Sequence, residues 1–145
     1  MRLINSMLMV NSDKENFATA DLCLVNLYSG GLEFIKIGAT SSYVKHRDQV
    51  ERVQAGSLPV GLISEPETQC DLKYAVNGDF VIMVTDGITD VLETEKENRL
   101  TMLIASYLGK SPQQLADEIA RAAMVACKGE PLDDMTVLVA RITEE

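Results

Sequence analysis

Two acidic segments of this chain stand beside strongly apolar stretches, where a folded protein could hold a carboxylate in a fixed place. Asp86 follows the five apolar residues 80–84 after one threonine, and Gly87 leaves space beside its carboxylate. Asp133 and Asp134 stand at the entry to a segment rich in β-branched residues. A carboxylate in such a position is costly unless a cation or hydrogen-bond donors compensate its charge. Because hard divalent cations bind several oxygen ligands, the two segments together predict part of a metal site.

Other interpretations of the acidic residues stay open at this point. An aspartate after a strand is also a common turn residue, so Asp86 alone does not establish a site. A third acidic cluster, residues 93–97, has no strand to anchor it and is predicted to be the solvated start of a helix. One histidine, His46, and three cysteines without a C-x-x-C pair do not provide the ligands of a zinc site.

Composition indicates a single folded domain rather than a disordered tail. The chain has 145 residues, of which 46% are hydrophobic, so it can bury a core. Its net charge of −9 argues against nucleic acid as a partner, because phosphate backbones attract lysine and arginine. No apolar run approaches the roughly 20 residues of a membrane-spanning helix, so we expect no membrane contact by this segment.

The elements that must position these aspartates change from strand patterns to helix patterns along the chain. Strands are predicted at residues 17–28, 32–37, 42–45, 50–54, 69–74, 80–84 and 134–142. Helices are predicted over the first ten residues, around residues 100–108, and after Ser111. Strands, then helices, then a returning strand favour an α+β fold of mostly antiparallel layers over an alternating parallel one.

End signals define the helix that follows Ser111. We expect Ser111 to cap it, Pro112 to occupy its first position, and Gln114 to stand where a capping box needs Glu or Gln. Gly129 is predicted to end the helix in a left-handed conformation. The opening residues have Leu3, Ile4, Met7 and Leu8 at helical spacing and are predicted to be the last turns of a helix that begins upstream of Met1.

The acidic motifs resemble those of a known enzyme class. Val-Thr-Asp-Gly-Ile-Thr-Asp at 84–90 and Asp-Asp-Met-Thr-Val-Leu-Val at 133–139 resemble the two C-terminal motifs of the metal-dependent protein phosphatases of the 2C class. Four further segments resemble the stage II sporulation protein E branch of that class: Leu-Ile-Asn-Ser-Met-Leu at 3–8, Phe-Ala-Thr-Ala-Asp-Leu at 17–22, Phe-Ile-Lys-Ile-Gly-Ala at 34–39 and Ser-Leu-Pro-Val-Gly at 57–61. The resemblance extends over nearly the whole chain.

This resemblance implies a fold and a metal site. The implied fold has two stacked antiparallel β-sheets flanked by helices, with two Mn²⁺ or Mg²⁺ ions that activate a water for attack on phosphoserine. Asp86 and Asp133 match two of the three carboxylates on the first metal, which makes them the candidate catalytic residues. Asp90 matches a position that helps to bind a third metal in some members. Asp134 stands where many members have asparagine.

Two departures from the family pattern affect what we expect. The first family motif, an Asp-Gly that bridges both metals, should precede the opening helix, so residues 1–145 are expected to be the C-terminal part of a phosphatase domain. The fold is then incomplete at its N-terminus, and the isolated chain is expected to be inactive. The turn after residue 37 contains Ala39 where some members have a metal-binding aspartate, which argues against a third metal.

The resemblance also implies a biological setting. The expected substrate is the phosphoserine of a phosphorylated anti-anti-sigma factor during sporulation. The expected location is the cytoplasmic face of a membrane to which the full-length protein is anchored, with a homodimer as a further expectation. A phosphatase of the haloacid dehalogenase type is disfavoured, because it needs a second aspartate where this chain has Ile88. The remaining alternative is a non-catalytic module of the same fold that binds partners.

Overall fold

Four helices and nine strands lie within residues 2–10, 17–54, 56–64, 69–94 and 97–143, which the structure, a computed structural model, describes. In chain order they are α1 Arg2–Val10, β1 Ala20–Val25, β2 Gly31–Ile37, β3 Ser42–Lys45, β4 Val50–Val53, β5 Gln69–Tyr74, β6 Phe80–Val84, α2 Asp86–Leu92, β7 Glu93–Thr94, β8 Glu97–Asn98, α3 Arg99–Ser106, α4 Pro112–Ala126 and β9 Val137–Arg141. None of the described helices has the length and apolar character that a membrane crossing requires. The chain divides into two compact units.

The first unit contains Met1–Ala39 and Gln54–Tyr74 and is built on an antiparallel sheet of order β1-β2-β5. A hairpin turn joins β1 to β2. The Asn26 side-chain oxygen accepts hydrogen bonds from the backbone N–H groups of Tyr28 and Ser29, at 3.0 and 3.1 Å. Gly30 has a φ of 69°, a conformation that glycine adopts without steric cost. The turn thus fixes the register of the hairpin.

The two faces of this sheet differ in burial. Phe34 and Leu32 on β2 are fully buried, and Lys36 beside them forms an ion pair with Asp21. Burial lowers the pKa of the Lys36 ammonium, and the Asp21 carboxylate partly opposes that shift. The pairing register places a second set of side chains on the other face, and these apolar residues are exposed: Leu22, Leu24, Leu72 and Tyr74.

Asn5 attaches α1 to the loop before β5. Its side-chain amide donates to the carbonyl oxygens of Ile63 and Ser64, at 3.0 and 3.1 Å. Its side-chain oxygen accepts from the backbone N–H of Gly61 at 2.8 Å. Asn5 is buried, whereas most apolar side chains of α1 are exposed. Polar contacts of one residue therefore determine how this helix meets the loop.

The second unit contains Thr40–Val53 and Ala75–Glu145 and is built on an antiparallel sheet of order β4-β3-β6-β9. Strands β3 and β6 are central and buried, as the five apolar residues of β6 predicted. Helix α4 packs on β9 and α2, and α3 packs on α4 and β4. The largest members of this core are Tyr43, Phe80, Ile82, Ile88, Leu92, Leu100, Ile104, Tyr107, Leu115 and Ile119. The core holds the strand ends that carry the acidic motifs.

Most predicted elements are confirmed, and so is the α+β class with antiparallel sheets. Strands β3, β5 and β6 have the predicted bounds, whereas β1 and β9 are shorter than predicted. The ends of α4 are confirmed, because Ser111 accepts a hydrogen bond from the Gln114 backbone N–H at 3.3 Å and Gly129 has a φ of 82°. Helix α2 was not predicted.

The interpretation of residues 93–97 as a solvated helix start is wrong. Glu93–Thr94 pairs with Glu97–Asn98 as a two-stranded ribbon, β7 with β8. The Glu93 side chain is only 6% exposed, and its carboxylate lies 2.6 Å from the Arg52 guanidinium. Thr101 donates to the same carboxylate at 3.2 Å. Arg52 and Thr101 compensate the buried charge, and the sequence pattern gave no indication of the distant arginine.

Candidate metal centre

Asp86 lies at the junction of the central strand β6 and helix α2. Thr85 occupies the N-cap position, and Asp86 is the first residue of the helix. The Asp86 side chain is exposed, and its Oδ1 accepts a hydrogen bond from the Gly87 backbone N–H at 3.0 Å. Ile88 and Thr89, which follow, are buried and hold the start of the helix against the core. The solvent-accessible carboxylate of Asp86 is therefore held by a backbone segment that is packed against the core.

The hydroxyls of Thr89 and Thr40 stabilise the junction between β6 and α2. The Thr89 hydroxyl lies 3.2 Å from the Asp86 carbonyl oxygen, to which it can donate. The same hydroxyl lies 2.8 Å from the Thr40 hydroxyl. Thr89 is only 6% exposed, so these contacts are shielded from water. The pair connects the residues before β3 with the helix that begins at Asp86.

Asp133 and Asp134 lie in the loop between α4 and β9. Strand β9 pairs with β6 so that Val137 stands opposite Val84. This register brings the loop before β9 to the same end of the sheet as Asp86. Both aspartate side chains are exposed, and the Asp133 Oδ1 accepts from the Asp134 backbone N–H at 2.7 Å.

Thr85 links the two acidic segments directly. Its hydroxyl donates to the Asp134 carbonyl oxygen at 2.9 Å and accepts from the Thr136 backbone N–H at 2.8 Å. Its backbone N–H donates to the Thr136 carbonyl oxygen at 3.1 Å. As an N-cap residue its hydroxyl would usually bond to the helix, but here it makes no such bond. Thr85 therefore fixes the spacing between the segments that contain Asp86 and Asp133.

Gly87 permits a close approach that no other residue would allow. A Cβ atom at this position would lie 2.6 Å from the Asp134 carbonyl oxygen and 3.3 Å from that of Asp133. These neighbours are backbone atoms of the loop before β9, and the Asp134 carbonyl is also held by the Thr85 hydroxyl. The Asp-Gly motif thus requires glycine because a side chain would clash with the loop before β9, and glycine also leaves space beside the carboxylate.

Sequence reasoning identified both acidic segments but missed the role of Thr85. A threonine between a buried strand and an Asp-Gly pair is an N-cap signal, and this signal was present in the sequence. It predicts a hydroxyl near the helix start. The partners of that hydroxyl, Asp134 and Thr136, are about fifty residues away in the chain, so the sequence did not identify them.

Asp90 follows Asp86 by one helical turn. Residues four apart lie on the same face of a helix, so Asp90 stands above Asp86 on the exposed face of α2. Its side chain is exposed, and the structure gives it no hydrogen bond or ion pair to a described residue.

The donor set fits a hard divalent cation in part. Asp86 and Asp133 each use one carboxylate oxygen for the N–H of the next residue, which leaves oxygen ligands of the type that Mg²⁺ and Mn²⁺ prefer. Within the described ranges, no group of three or more His, Cys, Asp or Glu side chains is placed to hold a metal ion. The assignment of Asp86, Asp133 and Asp90 as metal ligands stays a prediction.

Comparison with known proteins identifies the family. Residues 1–143 match the family model of stage II sporulation protein E. The chain belongs to this family. It is 33% identical over 144 residues to stage II sporulation protein E of Bacillus subtilis (strain 168) and, equally, to that of Priestia megaterium. These matches cover 98% of this chain but only 17% and 25% of the two relatives.

Solved structures place the match on the phosphatase domain of that family. The phosphatase domain of SpoIIE from B. subtilis, presoaked with Mn, has a TM-score of 0.79 and 32% identity, and the match covers 99% of this chain and 64% of that one. The PP2C phosphatase domain with a fragment of the regulatory domain has a TM-score of 0.84 and 33% identity, with 96% and 43% covered. A bacterial serine phosphatase at 16% identity and a TM-score of 0.76 agrees in fold. The expected family and the 2C fold class are confirmed.

Proposed function

We propose that this chain is the C-terminal part of a metal-dependent serine/threonine protein phosphatase domain. The observation that carries the proposal is that the two acidic segments lie together at one end of the β6–β9 pair. Thr85 of one segment makes hydrogen bonds to Asp134 and Thr136 of the other. The similarity to the SpoIIE phosphatase domain over almost the whole chain supports it independently. Residues 1–145 would then form one part of a larger catalytic domain.

Asp86 and Asp133 would hold one Mn²⁺ or Mg²⁺ ion, and Asp90 stands one helical turn away as a further candidate ligand. Ions bound at such a site supply Lewis acidity and lower the pKa of a coordinated water toward neutrality. The exposure of the aspartates leaves the site open to a phosphoserine on another protein.

The residues around the two aspartates would orient the carboxylates and would not react themselves. The Gly87 and Asp134 N–H groups each bond one oxygen of a carboxylate and thereby orient it. Thr85 and Gly87 keep the two acidic segments at a fixed separation. Because ligand geometry decides how well a divalent cation binds, these contacts prepare the protein part of the site before any ion arrives. We expect the two carboxylates to lie within about 5 Å of each other, since both would bind one ion at 2.0–2.6 Å.

The proposed substrate is a phosphorylated anti-anti-sigma factor, and the proposed process is sporulation. The names of the relatives support this setting, because they are a stage II sporulation protein and a cell fate determinant. A membrane anchor in the full-length protein, a location at the cytoplasmic face and a homodimer belong to the same proposal. The substrate is tested by comparing the dephosphorylation of a purified phosphoserine anti-anti-sigma factor with that of an unrelated phosphoserine protein.

The chain by itself is proposed to be a poor catalyst. Two carboxylates provide few ligands for one ion and none for a second, and Mg²⁺ and Mn²⁺ keep their water shells unless enough protein oxygens replace them. A mechanism that uses two metals would then lack one of them. The alternative function, a non-catalytic module that binds partners, shares this expectation for the isolated chain and differs from it in the complete domain.

The deciding experiment measures phosphate release from a phosphoserine protein with Mn²⁺. It compares a complete phosphatase domain that contains this segment, the 145-residue chain alone, and the chain with the upstream segment added as a separate polypeptide. We expect turnover in the complete domain, none in the chain alone, and partial recovery in the mixture. Strong Mn²⁺-dependent turnover by the chain alone would mean that the ligands have been misassigned. No turnover by the complete domain would favour the non-catalytic module.

A further inference from the structure

A second charged region lies at the opposite end of the β6–β9 pair from Asp86 and Asp133. It is a cavity of about 710 Å³ in the second unit, formed where β3 ends and β6 begins, and closed by the segment after α3 and the end of β9. Its polar lining consists mainly of Lys45, His46, Arg47, Asp79, Lys110 and Arg141, and we call it the cationic cavity. Phe80 and Tyr107 provide its apolar wall.

Positive charge is concentrated in this cavity against the trend of the chain. The chain has a net charge of −9, yet four of its 13 lysines and arginines and its single histidine line this one space. Among the described lining residues, Asp79 is the acidic one, and its carboxylate is already engaged. It lies 2.8 Å from the His46 Nδ1 and accepts from the Val76 backbone N–H at 2.8 Å. The remaining cations of the lining outnumber the local negative charge.

Lys45 is a buried cation in the wall of the cationic cavity. The residue is 4% exposed, and its ammonium donates to the Ala105 carbonyl oxygen at 3.3 Å. No acidic side chain of the described residues forms an ion pair with it. An ammonium has three N–H donors, and a buried charge is costly unless partners compensate it. One long hydrogen bond to a carbonyl leaves most of this requirement unmet.

Arg141 is a second cation of the cavity wall, on the other side of Phe80 from Lys45. The strand register places Lys45 opposite Phe80 and Phe80 opposite Arg141, so all three lie in one row on one face of the sheet. The Arg141 guanidinium stands over the Phe80 ring, 5.8 Å from its centroid. Among the described residues its buried Nε has no hydrogen-bond partner, and no carboxylate forms an ion pair with its guanidinium. Two cations of one row, on the strands that flank β6, thus face one cavity with unused donors.

We propose that the cationic cavity binds the phosphate group of a small anionic ligand between Lys45 and Arg141. A phosphate oxygen accepts from the buried ammonium, and the planar guanidinium binds two further oxygens, which is the geometry that arginine provides for phosphate. The volume is in the range of small-molecule sites, so it accommodates a phosphate monoester as well as free phosphate. The site is separate from the proposed metal centre and does not depend on the phosphatase proposal.

The test is calorimetric titration of the 145-residue chain with inorganic phosphate, and separately with glycerol phosphate, in EDTA at constant ionic strength. EDTA removes divalent ions, so phosphate cannot be held by a metal at Asp86 and Asp133. We expect saturable binding that Arg141→Gln weakens by about tenfold or more, because a charge-assisted hydrogen bond is lost. Arg121→Gln removes the same charge from the exposed surface of α4 and should change the affinity less than twofold.

Lys45→Met provides a second variant that keeps the length of the side chain without the charge. It should lose phosphate binding to a similar extent, and its far-UV circular dichroism shows whether the sheet still forms. Tighter binding of glycerol phosphate would assign an organic phosphate, and equal binding would assign free phosphate. Absence of saturable binding of both ligands would overturn the proposal. Equal losses in Arg141→Gln and Arg121→Gln would also overturn it, since they would indicate general charge attraction only.

Discussion

The two ends of the β6–β9 pair have opposite charge and opposite construction. At one end Asp86 and Asp133 are exposed, and backbone N–H groups hold their carboxylates. At the other end Lys45 is buried and Arg141 is partly buried, with donors that no described carboxylate uses. Both ends depend on the same strand register. One sheet therefore positions both the proposed cation site and the proposed anion site.

The difference shows how a fold positions charge in two ways. Exposed carboxylates need precise orientation, because solvent already compensates their charge and only geometry distinguishes a ligand from a surface residue. Buried cations need compensation more than orientation, because the surrounding protein does not replace lost hydration. At the acidic end backbone N–H groups bond the carboxylates, and at the basic end N–H donors of the cations have no partner among the described residues.

The largest expected effect comes from the acidic end. Asp86→Asn or Asp133→Asn in a complete phosphatase domain should reduce turnover by at least about 100-fold, because the proposed metal site loses a charged ligand. The free energy of unfolding should change little, since both side chains are exposed. Turnover is measured on a phosphoserine protein with saturating Mn²⁺. Asp117→Asn on the exposed face of α4 is the matched control, and near-normal turnover in either site variant would remove that residue from the assignment.

Substitution of one glycine at each end tests how closely the backbone is packed there. Gly87→Ala places a Cβ atom 2.6 Å from a backbone oxygen, and we expect a loss of about 2 kcal/mol in the free energy of unfolding. Gly78 at the basic end has a φ of 99°, and among the described residues only Arg141 comes within 4 Å of its Cβ position, at 3.8 Å. Gly78→Ala should cost about 1 kcal/mol from backbone strain. Urea denaturation followed by far-UV circular dichroism measures both, and a larger loss for Gly78→Ala would contradict the close packing at Gly87.

The hydroxyl of Thr85 offers a finer test of the acidic end. Thr85→Val keeps the shape of the side chain but removes both hydrogen bonds to the β9 segment, and we expect a loss of about 1.5 kcal/mol in the free energy of unfolding. Thr85→Ser keeps the hydroxyl and should recover most of that loss. In the complete domain, Thr85→Val should also raise the Mn²⁺ concentration for half-maximal turnover. If serine and valine behave alike, the hydroxyl does not link the two segments.

The smallest effect concerns Tyr43, which lies between the two ends, opposite Ile82 in the middle of β6. Burial raises the pKa of the Tyr43 hydroxyl above 10.0, and the nearby Glu93 carboxylate adds to the shift. A raised pKa means that the folded state keeps a proton that the unfolded state loses above pH 10. Stability should therefore be unaffected below that pH and fall by about 1 kcal/mol between pH 10 and 11.

Tyr43→Phe isolates this contribution, because it removes the ionisable group and keeps the ring in the core. Urea denaturation at pH 8, 10 and 11 should show a shallower alkaline decline for the variant than for the parent chain. Parallel declines in the two proteins would mean that other groups, and not the buried hydroxyl, dominate the alkaline range.

Much of the fold was predictable because its strongest signals are local. The five apolar residues of β6 define a buried strand without reference to any other part of the chain. The ends of α4 were predicted from Ser111, Pro112 and Gly129, whose conformational preferences act over a few residues. Helix α2 escaped prediction because seven residues that begin with an Asp-Gly pair provide too short a periodic pattern.

The features that escaped prediction depend on partners distant in sequence. Glu93 is acidic in an acidic cluster, and only its pairing with Arg52 across the fold explains its burial. Lys45 and Arg141 come together because β6 lies between β3 and β9, a neighbour relation that the order of elements does not specify. The relation between Asp86 and Asp133 was inferred from the position of each beside a predicted strand, and then from a family resemblance. Composition and periodicity alone had left Asp86 open to interpretation as an ordinary turn residue.

The length of β6 sets the kind of communication that is possible between its ends. Five residues of extended chain span about 17 Å, roughly twice the distance over which physiological salt screens a charge. A phosphate in the cationic cavity would therefore alter the electrostatic potential at Asp86 very little. Any influence of one site on the other would have to travel as a small displacement of the strand itself. Added salt should then leave such coupling unchanged, while it weakens the binding of each ion separately.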